Sequence, residues 1–277
     1  MAKQQIKEDM SFLEHLEVFR WHLVRSVVVI LSFAILAFIF KGIIFDGILL
    51  APKNPDFPTY KILCLFSKKL GMRDALCMDE LPFILMNINM SGQFSAHIIT
   101  SIIAGFVVAF PYVFWEMWRF IAPALYEKES SVARGVVFFS STLFLFGVVF
   151  GYYVVSPLSV HFLGSYQVSS SVANQISLNS FISTVSTVCL ANGIIFELPI
   201  LVYFLTKVGL ITPDFMRTYR KHALVLTLIF SAIITPPDVA SQVLVALPLM
   251  ILYEISIKIS ARVLRKQKKL KQDEIKS

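Results

Sequence analysis

The chain has 277 residues, 56% of them hydrophobic and 16% charged, whereas soluble domains run at about 45–50% apolar and about 25% charged. That balance excludes an ordinary soluble enzyme or binding module, and two intervals without Asp, Glu, Lys or Arg, 81–115 and 135–196, leave too little polar sequence for a separate soluble domain. The formal net charge of +7 would suggest nucleic acid in a soluble protein; in so apolar a chain it must be read by position, and no nucleic-acid partner is expected.

Residues 1–25 are polar and mixed in charge, so no removable signal peptide is expected. A crossing helix takes roughly 20 mainly apolar residues for a core about 30 Å thick, which predicts spans over 21–45, 97–118, 132–155 and 180–206. Two further segments, 223–235 and 239–257, are joined by Thr235-Pro236-Pro237-Asp238. Proline lacks the amide donor and restricts its predecessor, so this is a turn. At about 1.5 Å per residue the two segments reach about 20 and 28 Å, short for a bilayer. The fold class is therefore all-α: a single polytopic membrane domain (1–277) of six transmembrane helices, the last two short, with both termini on one face.

Positive charge selects that face. Of the 25 Lys and Arg residues, all but the six between Lys41 and Arg73 fall on the side of the termini, including the basic tail 258–277. The positive-inside rule then places both termini in the cytoplasm. The extended loop 46–95 becomes a partly helical cap on the outer face. Its Cys64 and Cys77 would meet an oxidising compartment, where either a disulfide or two thiols is compatible with the sequence. Cys189, inside a span, reads as a small buried hydrophobe.

Chemistry-bearing motifs are sparse. There is no glycine-rich phosphate loop with its lysine, no His-Glu-x-x-His and no paired Cys-x-x-Cys, so neither a metal nor a cofactor is expected, and no enzyme. The informative residues are carboxylates. Glu197 lies inside the fourth span, where an ionised centre costs roughly 2.5–3.5 kcal/mol even on a lenient scale, so it should face protein or water. It is either a hydrogen-bonded acid of the bundle or a polar contact for a partner helix. Pro199, two residues on, should bend that helix. Glu14 and Glu17 precede the first span, and Glu127 and Glu129 lie between the second and third; they oppose an otherwise basic face. Asp238 can cap the last helix, and Gln242, one turn on, is expected with Glu197 and Pro199 to form an intramembrane polar or partner contact.

Five segments, in this order, resemble the TatC family of the twin-arginine protein translocase: Ser11-Phe-Leu-Glu-His-Leu-Glu17, Trp118-Arg-Phe-Ile-Ala-Pro-Ala-Leu-Tyr126 with Glu129, Phe196-Glu-Leu-Pro199, Thr235-Pro-Pro-Asp-Val-Ala-Ser-Gln242 and Tyr253-Glu-Ile-Ser256. The first outer loop carries little of the pattern beyond Ala51-Pro52. The resemblance implies a receptor in the bacterial cytoplasmic membrane for folded proteins whose signal peptides carry two consecutive arginines. It further implies single-span partners of the TatA and TatB type, self-association, and export driven by the proton gradient. By position, Glu129 and Phe120 match the loop glutamate and the aromatic of the signal site, Arg20 the arginine that ends the N-terminal motif, and Glu197 the intramembrane glutamate; Pro52, Pro123, Pro236 and Pro237 match structural prolines.

One position departs. The family's His-Leu-x-Glu-Leu-Arg would put a glutamate where His15-Leu16-Glu17-Val18-Phe19-Arg20 has Val18. Either Glu17 takes over that role, or the site relies on Glu129 with Glu14 in support. A rival class is a proton-coupled secondary transporter using Glu197; it expects broken helices in two repeated halves, and the chain shows no internal repeat.

Overall fold

The computed structural model describes residues 12–69, 77, 83–125, 130–169, 174–235 and 239–276. Helix α1 (Phe12–Ile39) leads through a π-helical turn (Ile43–Leu49) and a 3-10 turn (Ala51–Lys53) into α2 (Pro58–Lys69). Then follow α3 (Gly92–Leu125), α4 (Ser130–Phe150), a second π-turn (Gly151–Val155) and α5 (Ser156–Ser165). The chain continues as α6 (Leu178–Ile195), α7 (Leu198–Val208), α8 (Pro213–Thr218), α9 (Arg220–Ile234) and α10 (Val239–Lys276). Among the described residues, five stretches are long and apolar enough to cross a bilayer: 16–39, 92–121, 135–165, 178–208 and 241–269. The remaining candidate, α9, has 15 residues, about 22 Å at 1.5 Å each.

Small residues set the helix contacts, as expected where lipid removes the hydrophobic drive between helices. A Cβ on Gly105 of α3 would lie 2.6 Å from the backbone nitrogen of Ala34 in α1. Gly147 and Gly151, one turn apart on α4 and the π-turn, do the same against α6: a Cβ at Gly147 would meet the Asn192 carbonyl oxygen at 2.6 Å, and one at Gly151 the Cys189 Cα at 2.9 Å. Overpacking is therefore forbidden along both seams.

Proline shapes the third and fourth spans. Pro157 cannot donate to the Tyr153 carbonyl, the helix widens into the π-turn just before it, and the hydroxyl of Thr59 in α2 donates to that freed carbonyl instead. Helical structure runs to Ser165, ten residues beyond the span the sequence suggests. In the fourth span the break falls at Phe196–Glu197, with Pro199 in the first turn of α7, because Pro199 has no amide to donate to the Ile195 carbonyl and its ring crowds that carbonyl.

The last helix departs from expectation. α10 has 38 residues and stays helical through Pro248, so only the first helix of the final pair is short. The basic segment 258–276 prolongs the helix rather than trailing from it, rich as it is in Lys, Arg, Leu and Gln, which lose little rotamer freedom in a helix.

The described parts of the loop 46–95 pack at the end where α1 finishes. Tyr60 is 2% exposed and its hydroxyl lies 2.8 and 3.1 Å from the carbonyls of Pro52 and Pro157, tying α2 to both; burial pushes this phenol above its ordinary range. Cys64 and Cys77 form a disulfide. The all-α expectation missed one feature: strand β1 (Ile84–Met86) pairs in parallel with β2 (Gln175–Ser177), joining the segment before α3 to the one before α6. Beside it, Phe83 packs under Gly164, with Phe181, Ile182 and Val185 of α6 in one core.

Candidate functional site

Around the N-terminal end of α1 and the C-terminal end of α3, aromatic residues meet. The rings of Phe19 and Phe120 are 5.0 Å apart and His22 stands 6.2 Å from Phe120. Beneath them lies a carboxylate that no sequence motif singles out. Glu116 is 1% exposed; one oxygen is hydrogen-bonded to His22 Nδ1, the other accepts from Tyr112 Oη at 2.9 Å, and Arg119 stands 3.8 Å away with its guanidinium 4.9 Å over Trp115. The available signal was that Glu116 ends an uncharged interval one helical turn before Phe120, within reach of a histidine on α1.

α1 is an unbroken helix, so orientation around its axis follows from about 100° per residue. Phe19, His22 and Ser26 share the face toward α3. Val18 sits about 100° off that face and Glu17 about 160° from Phe19. Both are exposed. Among the described residues, Glu17 makes only an exposed ion pair with Arg20 at 3.8 Å, the Arg20 guanidinium in turn lying 5.7 Å over Trp21. Exposed pairs of this kind hold little energy. The side chains of Glu14 and Pro123, and the whole of Glu129, Pro236, Pro237 and Asp238, lie outside the described residues.

Glu197 occupies the corner between α6 and α7. Its Oε2 accepts from Ser140 Oγ of α4 at 2.7 Å, while Oε1 is buried with no hydrogen-bond partner among the described residues. The Phe144 backbone lies beside it as a polar neighbour. Asn192, one turn earlier and 1% exposed, donates to the Val188 carbonyl at 2.8 Å and leaves Oδ1 unpaired. The bend thus gathers two acceptors with spare capacity. Gln242 plays a different part. Its amide donates to the Leu228 carbonyl at 3.1 Å and its own backbone carbonyl accepts from Ser231 at 2.5 Å, lacing α9 to α10. Glu254, in the Tyr253-Glu-Ile-Ser256 segment, accepts from Arg220 at 2.9 Å, and Tyr253 donates to the Met216 carbonyl at 2.8 Å. Pro52 contributes the carbonyl that receives Tyr60. Among the described residues no group of His, Cys, Asp or Glu is arranged to hold a metal.

Residues 14–248 match the family model of the Sec-independent protein translocase protein (TatC). The chain belongs to the TatC family. It is 39% identical to the TatC protein of Blattabacterium sp. subsp. Periplaneta americana over 266 residues, 94% of this chain and 98% of that one. It is 34% identical to TatC of Aquifex aeolicus over 94% of this chain and 99% of that one. A crystal structure described as the twin arginine translocase receptor TatC in DDM superposes with a TM-score of 0.69 at 33% identity, covering 89% of this chain and 99% of that one. The protein is accordingly a membrane component of a protein translocase. The family match, which includes Glu17, Glu197 and Gln242, ends within α10, before its basic extension.

Proposed function

We propose that this chain is the receptor and assembly core of a twin-arginine translocase in a bacterial cytoplasmic membrane. It is one membrane domain (1–277) with six passes, α9 being the short one, and with N- and C-termini inside. The cap 46–95 faces outward and the basic extension 258–277 stays in the cytoplasm. The ends of α1 and α3 receive the arginine pair of a signal peptide, with Glu129 as the main carboxylate, Glu17 and Glu14 beside it, and Phe120 and Arg20 framing the site. Arginine's planar fork pairs with carboxylates through two parallel bonds, which a lysine point charge cannot imitate. Each charge-assisted bond contributes about 1.5–3 kcal/mol, enough to select arginine.

The observation that carries this reading is the Phe19–Phe120 contact, which sets the N-terminal motif beside the segment leading to Glu129. Glu197, with a bare oxygen at a helix bend, suits a polar contact with single-span subunits of the TatA and TatB type. The chain itself catalyses no covalent step; the proton gradient drives export, and further copies of this chain assemble with it. Photo-crosslinking from position 126 to a precursor with two arginines, beside the same precursor with two lysines, tests the site. A cross-link that requires the arginines and vanishes in Glu129→Ala is expected; equal labelling of both precursors refutes the reading.

A further inference from the structure

Two cavities lie one below the other along α3. The upper, about 360 Å³, is lined by Lys41, Asp46, Gln93 and His97 among others; the lower, about 410 Å³, by Ile48, Thr100, Ile103, Ala104, Val108 and neighbours. The first π-turn, α3 and α6 contribute to both. On α3 the lining positions 93, 97, 100, 104 and 108 advance by three or four and form a single stripe. Polarity falls along it. Lys41 and Asp46 stand at the top, His97 commits Nε2 to the Phe38 carbonyl at 3.0 Å and forms a wall, and below Thr100 the surface is almost wholly apolar. Thr100 is 3% exposed and its hydroxyl has no hydrogen-bond partner among the described residues.

We propose that this site holds one phospholipid with a zwitterionic phosphoethanolamine headgroup. The phosphate meets Lys41, the ammonium meets Asp46, the Thr100 hydroxyl donates to an ester carbonyl, and one acyl chain descends the α3 stripe. From His97 to Val108 is about 16 Å, matching the roughly 15 Å depth of one leaflet of a 30 Å core. Charge separates a lipid from a partner helix: Lys41 and Asp46 at one end and the apolar stripe below Thr100 match a zwitterionic headgroup and its acyl chain. A hydrocarbon chain about 4 Å across displaces about 200 Å³ over that length, within the lower cavity. That the leaflet is the outer one rests on the orientation proposed above; the binding does not.

The test presents purified protein in detergent with equal amounts of phosphatidylethanolamine, phosphatidylcholine and phosphatidylglycerol, and reads bound lipid by native mass spectrometry. Phosphatidylethanolamine is retained as a single copy, about fivefold over phosphatidylglycerol. Asp46→Asn removes that preference, Lys41→Ala weakens all three, and Ala104→Trp, which fills the groove, abolishes retention. Should Ala104→Trp fail to fold, Thr100→Val reads the same groove and lowers retention of every lipid. Equal retention of the three lipids, or a preference that survives Asp46→Asn, overturns the proposal. Labelling of Lys41→Cys in intact cells by a membrane-impermeant thiol reagent reports the side separately. A negative result there would overturn the orientation while leaving the detergent measurement intact.

Discussion

Glu116 and Glu197 both lie within stretches long and apolar enough to cross a membrane, and they are built differently. Glu116 has both oxygens engaged, by His22 and Tyr112, and is sealed between α1 and α3. Glu197 has one oxygen on Ser140 and the other buried and bare, at a corner where the helix has already broken. A buried polar group whose capacity is filled rigidifies its surroundings, and one whose capacity is half filled is unfavourable until something else completes it. Position in the membrane alone therefore does not assign a role to an acid; its unspent acceptors do. Glu116 belongs to the scaffold that aims Phe19 and Phe120, whereas Glu197, on the function proposed above, belongs to a surface that a partner completes.

The largest effect expected from this contrast is at Glu116. Glu116→Ala strands His22, Tyr112 and Arg119 and leaves a void, which costs about 3 kcal/mol or more, seen as a large fall in thermal unfolding temperature in detergent. The paired change His22→Phe with Glu116→Leu should recover most of that loss, since replacing both partners of a buried pair by apolar groups is far milder than removing one. A double variant as unstable as the single one would break the scaffold reading.

Overpacking comes next. Gly147→Leu drives a side chain into the Asn192 carbonyl and the Phe196 Cβ, costing about 1–3 kcal/mol and shifting the bend that presents Glu197. Lower stability together with weaker co-purification of single-span partners is expected. At Glu197 itself the two readouts should part. Glu197→Ala removes one hydrogen bond, worth about 1 kcal/mol, and also an unsatisfied oxygen. Thermal stability should therefore change little while export activity falls sharply, and Glu197→Gln should retain part of it. A stability loss as large as that of Glu116→Ala would place both acids in the scaffold.

Much of this arrangement was legible in the chain because membrane spans announce themselves by length and apolarity, and because Pro199 acts on the backbone locally. What escaped was long-range or too short to carry a period. Strands β1 and β2 are three residues each, with no alternation to detect and a partner some ninety residues away. Glu116 shows its nature only when α1 supplies His22. The glycine seam of Gly147 and Gly151 declares itself only once α6 lies against it. Helicity in 258–276 went unread because charge suggested a tail, although the same residues are good helix formers.

The smallest effect concerns the N-terminal departure, and it sharpens which carboxylate serves the proposed signal site. Because α1 is regular, Glu17 projects about 160° from Phe19 and cannot rotate into the place left by Val18 without breaking the helix. Its only partner among the described residues is exposed Arg20, so Glu17→Ala should alter thermal stability by less than about 0.5 kcal/mol. It should likewise leave the arginine-dependent cross-link from position 126 within about twofold of the unchanged protein, since Glu17 stands at the edge of the proposed site and projects away from the Phe19–Phe120 face. Val18→Glu, which places a second carboxylate some 60° closer to the Phe19 face, should strengthen that cross-link. If Glu17→Ala instead removed it and Val18→Glu did nothing, the first turns of α1 would have to unwind when a signal peptide binds, and the regular helix seen here would be the unoccupied form.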